Sequence, residues 1–166
     1  LRASLGEPGF EIETAERAFH LGRILIARGR LQEGETQLVR SAKRPEFGLA
    51  VASLRAGLAE ARGDLRGALE QWRTARSLRP AEAAPCLEFA RVARAANELG
   101  LAQEALSWAR VLTPNDPRVH AGFVELALAR GDWRAAETAL AAYERAGGEG
   151  SWAAEERRKI AEIRAP

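Results

Sequence analysis

The chain has 166 residues, 46% hydrophobic and 29% charged, with 25 Lys and Arg set against 23 Asp and Glu for a net charge of +2. That balance fits one folded, water-soluble domain or a short repeat array, and the mixed signs leave out the basic footprint of a nucleic-acid binder. The single cysteine, Cys86, excludes an internal disulfide and a paired-cysteine metal site, and no apolar run approaches the roughly 18 residues of a membrane span.

Lysine occurs only at positions 43 and 159, so nearly all positive charge is arginine. With abundant alanine, this is the usage of a GC-rich coding sequence such as a high-GC bacterium has. Methionine is absent, even at position 1, which predicts a chain excised or processed from a longer protein.

Residues 1–13 read as a leader or as the remnant of a preceding repeat. Thr14 is a sensible N-cap for a first helix over about 15–28. Gly29 ends it, and a second helix follows over about 31–43. Helices are then predicted over about 47–62 and 65–78, separated by Gly63-Asp64, with Pro80 beyond the second. In the latter, Leu65, Leu69, Trp72, Ala75 and Leu78 recur at helical spacing. The next pair covers about 84–96 and 99–112, separated by Asn97 and closed by Pro114. Asp116-Pro117 places a cap before a proline at the first helical position, opening a helix over about 118–130. Asp132 caps another over about 133–146. After the Gly147-Gly148-Glu149-Gly150 joint, SWAAEERRKIAEIR at 151–164 forms a last helix with Ser151 as its cap. Its apolar residues, Trp152, Ile160 and Ile163, make one narrow stripe, as a solvating end-cap requires. No segment alternates with the period of a strand.

The hairpins repeat. Gly29, Gly63, Asn97 and Gly131 stand 34 residues apart. Leu31, Leu65, Leu99 and Trp133 keep the same spacing, as do Gly34, Ala68, Ala102 and Ala136, and Leu38, Trp72, Leu106 and Leu140. Pro80 and Pro114 are also 34 apart, and Pro45 nearly closes the first unit. Several columns in register at one period mark a repeat array. The units fall at about 14–46, 47–82, 83–116 and 117–147, with a capping helix in 148–166.

Over about residues 14–147 the chain resembles the tetratricopeptide-repeat family, whose units are helical hairpins of this length with small residues where the two helices touch. Gly22, Ala56 and Ala90 hold those positions on first helices, and Gly34, Ala68, Ala102 and Ala136 on second helices. Val124 departs from the pattern. So do the columns where the family carries Trp and Tyr, filled by Ala18, Ala52, Cys86 and His120, and by Leu25, Ala59, Ala93 and Ala127. Pentatricopeptide arrays, with a slightly longer period, match less well.

The resemblance implies an all-α fold, an α-α superhelix (solenoid) of four stacked hairpins plus a C-terminal capping helix. It also implies a concave groove lined by the first helices, suited to an extended segment or a helix of a partner protein. By register, the groove takes Glu16, Phe19, His20 and Arg23 from the first unit, then Ser53, Gly57 and Glu60. Leu87, Glu88, Arg91 and Arg94 follow from the third, then Arg118, Ala121, Gly122, Glu125 and Leu128. Phe19 and Leu87 would be exposed apolar anchors. Arg91 and Arg94 share a helix face and with Arg118 could fork an acidic group. The alternative is that these arginines pair with Glu88, Glu60 and Glu125 along a solvated face. The carboxylate clamp of chaperone-binding family members is missing: the matching positions hold Phe19, Arg23, Leu54, Ala84 and Glu88.

Sharper chemistry finds little support. His20 and His120 occupy different register positions, which argues against a shared metal site; His120 is expected between helices. Cys86 falls in a column that is usually buried. Phosphate-loop and dinucleotide signatures need a strand before the glycines, and none is read. Trp72, Trp108 and Trp133 fall at core spacing. The expected function is a non-catalytic protein-interaction scaffold, without cofactor or metal, acting as a monomer or weak dimer. The alternative is an accessory domain of an enzyme whose catalytic part lies outside the chain. The compartment is left open between cytoplasm and periplasm.

Overall fold

The computed structural model describes residues 8–165, with side chains described from residue 14 onward. The described residues form nine helices: α1 (Pro8–Ala27), α2 (Leu31–Ser41), α3 (Pro45–Ala61), α4 (Leu65–Leu78), α5 (Ala83–Ala95), α6 (Leu99–Leu112), α7 (Pro117–Ala129), α8 (Trp133–Arg145) and α9 (Ser151–Arg164). No strand is assigned among them. Consecutive helices pack as four hairpins, and α9 packs onto α8.

One turn chemistry closes every hairpin. Gly29, Gly63, Asn97 and Gly131 have φ of 76°, 75°, 59° and 70°. This left-handed conformation is cheap for Gly and tolerated by Asn. It brings two amides back onto the end of the helix. Gly63 N–H donates to Glu60 O at 2.9 Å and Asp64 N–H to Ala59 O at 2.8 Å. The pair of bonds recurs from Gly29 and Arg30, from Asn97 and Glu98, and from Gly131 and Asp132. The longer-range bond always ends on the carbonyl of Leu25, Ala59, Ala93 or Ala127. Carbonyls that an abrupt helix end would orphan are thereby satisfied.

The helix starts differ from one another. Asp116 accepts from Arg118 N–H at 2.9 Å and Asp132 from Ala135 N–H at 3.0 Å, as their sequence positions suggest. Thr14 caps nothing: it lies inside α1, which begins at Pro8. Of residues 1–13, read as a leader or repeat remnant, 8–13 belong to α1, and 1–7 lie outside the described residues. Pro45 opens α3 rather than closing the first unit, because Arg44 before it is extended (φ −103°, ψ 125°). The ring of a proline disfavours helical geometry in the residue it follows. Ser151 is the first helical residue of α9; the cap position belongs to Gly150 at φ 105°, without a side-chain bond.

Small residues set how closely the paired helices approach. A Cβ on Gly22 would sit 3.1 Å from the Gly34 carbonyl oxygen, and one on Gly34 would sit 2.6 Å from Ile26 Cγ1. Ala56, Ala68, Ala90, Ala102 and Ala136 are likewise buried. Val124, the exception to the pattern, is fully buried in a cluster with Ala127, Ala136, Leu140, Ala153 and Ile160. The last hairpin thus carries a larger side chain at that position, within the core that α9 completes.

The chain divides into two compact units, one ending at Leu78 and one beginning at Arg79. In the first, α3 packs on both α1 and α2, and Leu38, Val51, Ala56, Leu58, Ala68 and Leu69 form the interior. In the second, α7 packs on α5 and α6, and α9 on α7 and α8. Its interior holds Phe89, Val92, Leu106, Val119 and Leu126. Cys86 is a buried free thiol beside Ala83, Ala109 and Val119, a small apolar filler rather than an exposed nucleophile.

Candidate functional site

Within the second unit, α5, α6 and α7 enclose a concavity of about 240 Å³. Its walls carry Leu87, Glu88, Arg91 and Arg94 from α5, and Arg118, Ala121, Gly122 and Glu125 from α7. Ala90, Ala102 and Leu106 contribute from deeper in the unit. The third- and fourth-unit residues expected at the groove therefore share one pocket, with the exception of Leu128, which packs on the cluster around Val124. Gly122 keeps the wall open: a Cβ there would approach Leu106 Cδ2 to 2.5 Å.

The pocket is charged but nearly balanced, with three guanidiniums and two carboxylates in its lining. Each arginine already has a carboxylate neighbour. Arg91 Nε donates to Glu88 at 2.9 Å along α5. Arg94 Nη2 donates to Glu125 at 2.7 Å, joining α5 to α7. Arg118 holds Asp116 through Nε at 3.1 Å and Nη2 at 2.7 Å. Glu88 and Glu125 are the partners foreseen for a solvated face; Arg118 instead takes Asp116. That carboxylate lies below its ordinary pKa, first because the Arg118 side chain donates to it, with the Arg118 backbone amide adding to the effect. An acidic ligand must therefore share or displace a carboxylate rather than meet a bare guanidinium. Arg94 bonds Glu125 through one nitrogen, and the guanidinium fork has five donor hydrogens. Leu87 is half-buried, an apolar wall rather than an exposed anchor.

In the first unit, α1 carries Phe19, His20 and Arg23, and α3 carries Ser53 and Gly57. Phe19 is not exposed. Its ring stacks at 5.3 Å on Phe47 of α3, meets His20 edge-on at 5.7 Å, and lies under the Arg23 guanidinium at 5.8 Å. His20 faces solvent with Nε2 3.8 Å from Glu16. The Ser53 hydroxyl donates to Leu49 O at 2.9 Å, within its own helix. Gly57 opens onto free space.

The remaining candidates fall elsewhere. His120 is half-buried, its Nε2 2.9 Å from the Pro114 carbonyl oxygen, so it ties the loop before α7 to that helix. Trp108 is half exposed, contrary to its core-like spacing; Trp72 and Trp133 are partly buried. Among the described residues, no group of three or more His, Cys, Asp or Glu could hold a metal ion. No described helix is long and apolar enough to cross a membrane. Sequence register missed the Phe19–Phe47 stack and the Asp116–Arg118 pair. The first needs knowledge of the α1–α3 crossing, whereas the second was legible in the capping residue two positions before Arg118.

No protein-family model and no curated protein matches the sequence. The fold, however, matches solved structures. A tetratricopeptide repeat protein from Parabacteroides merdae superposes with a TM-score of 0.77 at 16% identity, over 98% of this chain and 62% of that one. This chain thus spans less than two thirds of that protein's length. MamA protein gives a TM-score of 0.67 at 14% identity, over 91% and 92% of the two chains. PilF of Pseudomonas aeruginosa gives 0.65 at 18% identity, over 95% and 70%. With the glycine-closed hairpins and their small-residue contacts, these likenesses show that the chain has the tetratricopeptide-repeat fold.

Proposed function

We propose that the chain is a non-catalytic protein-interaction scaffold that holds a peptide segment or helix of a partner on the faces of its first helices. The observation that carries this reading is the open pocket between α5 and α7. It combines apolar walls from Leu87, Leu106 and Ala121 with paired, half-exposed charges from Arg91, Arg94, Glu88 and Glu125. Surfaces of that mixed kind suit a polypeptide, which offers amides, carboxylates and apolar side chains together. Ion pairs that lie partly in solvent are worth little on their own, so a ligand can exchange them at small cost. In this reading Phe19, His20, Arg23, Ser53 and Gly57 form a binding face of the first unit by itself. The repeats are taken as about 14–46, 47–82, 83–116 and 117–147, with 148–166 as the cap, although α1 and α3 begin earlier than the first two bounds, at Pro8 and Pro45.

Selection from a displayed library of random peptides tests this. The expected result is an enriched family carrying an acidic residue beside apolar ones, lost on an Arg91→Glu/Arg94→Glu variant that keeps its helical circular dichroism. No enrichment on the folded wild-type chain, or equal enrichment on the variant, refutes the reading.

A further inference from the structure

A second concavity, of about 610 Å³, lies between α1 and α2 of the first unit. None of its lining residues belongs to the pocket between α5 and α7. Its charged lining among the described residues is cationic: Arg17, Arg40, Lys43 and Arg44. Arg44 pairs with Glu46 at 3.2 Å, and Arg17 and Arg44 both have further interactions. Arg40 and Lys43 differ. Both are exposed and have no carboxylate partner among the described residues. They are three residues apart, Arg40 in the last turn of α2 and Lys43 just beyond it.

The two pockets differ in this respect. The three arginines of the other pocket each hold a carboxylate, whereas here two cations beside each other are left to solvent. The groove is also not purely polar. Leu21 lines it and is 45% exposed, and Ile24, three residues on along α1, is 50% exposed. Residues at that spacing share a helix face, so α1 offers an apolar strip beside the cationic α2 end. Exposed apolar side chains grouped with unpaired charge mark an interaction surface more than scattered surface leucines do.

We propose that this groove docks an acidic amphipathic segment of a partner protein. Its carboxylates meet Arg40 and Lys43, and its apolar side chains cover Leu21 and Ile24. Charge complementarity selects the occupant. Two free cations beside an apolar strip favour a helix with Glu or Asp on one edge and Leu or Val on the next. A nucleic-acid backbone would leave Leu21 and Ile24 uncovered, and among the described residues no aromatic side chain lines the groove as a stacking platform.

The test uses the whole chain and a fluorescein-labelled helical peptide of Glu, Leu and Ala, with Glu at i, i+4 spacing, read by anisotropy. Its Gln analogue and labelled poly-uridylate serve as comparison ligands. The wild-type chain is expected to bind the Glu peptide, and Arg40→Glu/Lys43→Glu to weaken it by about tenfold or more, with Arg40→Gln/Lys43→Gln intermediate. Arg28→Glu/Arg66→Glu, which changes net charge equally outside the groove, should bind like wild type. Circular dichroism establishes that each variant is folded. The proposal is overturned if the wild-type chain does not bind the peptide, or if the Gln analogue binds as well. It also fails if the control reversal costs as much as the groove reversal, or if poly-uridylate outcompetes the peptide.

Discussion

The turn column offers a quantitative test of how the sequence sets the fold. At Gly29, Gly63 and Gly131 a Cβ would meet nothing within 4 Å. Replacement by Ala therefore adds no clash, and its whole cost is the left-handed backbone at φ of 70–76°. That conformation is disfavoured for an L-residue by about 1–2 kcal/mol. Each Gly→Ala change should therefore cost about 1–2 kcal/mol, which for a chain of this size lowers Tm by roughly 2–4 °C per kcal/mol. Asn97 occupies the same conformation at φ 59°, where Asn is better tolerated than Ala. Asn97→Gly relieves residual strain but loosens the unfolded chain by about 0.4–1 kcal/mol, so the net change should be near zero. The assay is urea unfolding followed by circular dichroism and tryptophan fluorescence, with the two probes compared because repeat arrays can depart from two-state behaviour. Distant sites add, so the triple Gly→Ala variant should lose about three times the single-site cost. A neutral or stabilising Gly63→Ala, or a strongly destabilising Asn97→Gly, would refute the argument that backbone conformation alone selects these residues.

Further expectations follow from individual contacts. Gly34→Ala forces a Cβ against Ile26 and the Gly22 carbonyl; overpacking of this kind costs about 1–3 kcal/mol, measured by the same unfolding curves. Asp116→Ala removes the α7 cap and the Arg118 pair, and should cost about 1 kcal/mol. Because the folded pKa of Asp116 is lowered, its stabilisation is complete above the unfolded value of about 3.9 and is lost as pH falls through the folded value. The wild-type advantage over Asp116→Asn in unfolding experiments should accordingly shrink only below about pH 4. Glu156 is 3% exposed and accepts from Lys159 at 2.9 Å. Glu156→Leu should leave stability unchanged or raise it, while Lys159→Met, which removes that partner, should lower it. Light scattering should find a monomer or weak dimer; a tight higher oligomer would contradict that.

Much of the architecture was legible because it rests on local chemistry. Residues able to adopt positive φ mark the turns, and each is read from one position and its period. The boundaries of α4, α6 and α9 coincide with the expected ones, since Leu65 and Leu99 follow turn motifs and Ser151 follows a glycine joint. Errors appear where a residue has two permitted roles. Proline closes one helix or opens the next, and Pro45 does the latter because the chain after Ser41 turns directly into α3. Thr14 resembles a cap but continues a helix, since nothing in its own chemistry forbids the interior. The pocket between α5 and α7 was legible as a set of register positions. Its charge state was not. Arg118 pairs with Asp116, two residues before it, and Arg94 finds Glu125 on another helix. Phe19, read as an anchor, is covered by Phe47, whose approach depends on how α1 and α3 cross.

The central claim is that a partner polypeptide binds across the arginine-bearing pocket of the second unit. It is tested most directly by titrating a library-selected peptide into the wild-type chain and into Arg91→Glu/Arg94→Glu, with heat of binding as the readout. The account predicts at least about a tenfold loss of affinity, or about 1.4 kcal/mol, in a variant whose helical content is unchanged. Equal affinity for the two chains would place the binding face elsewhere and contradict the account.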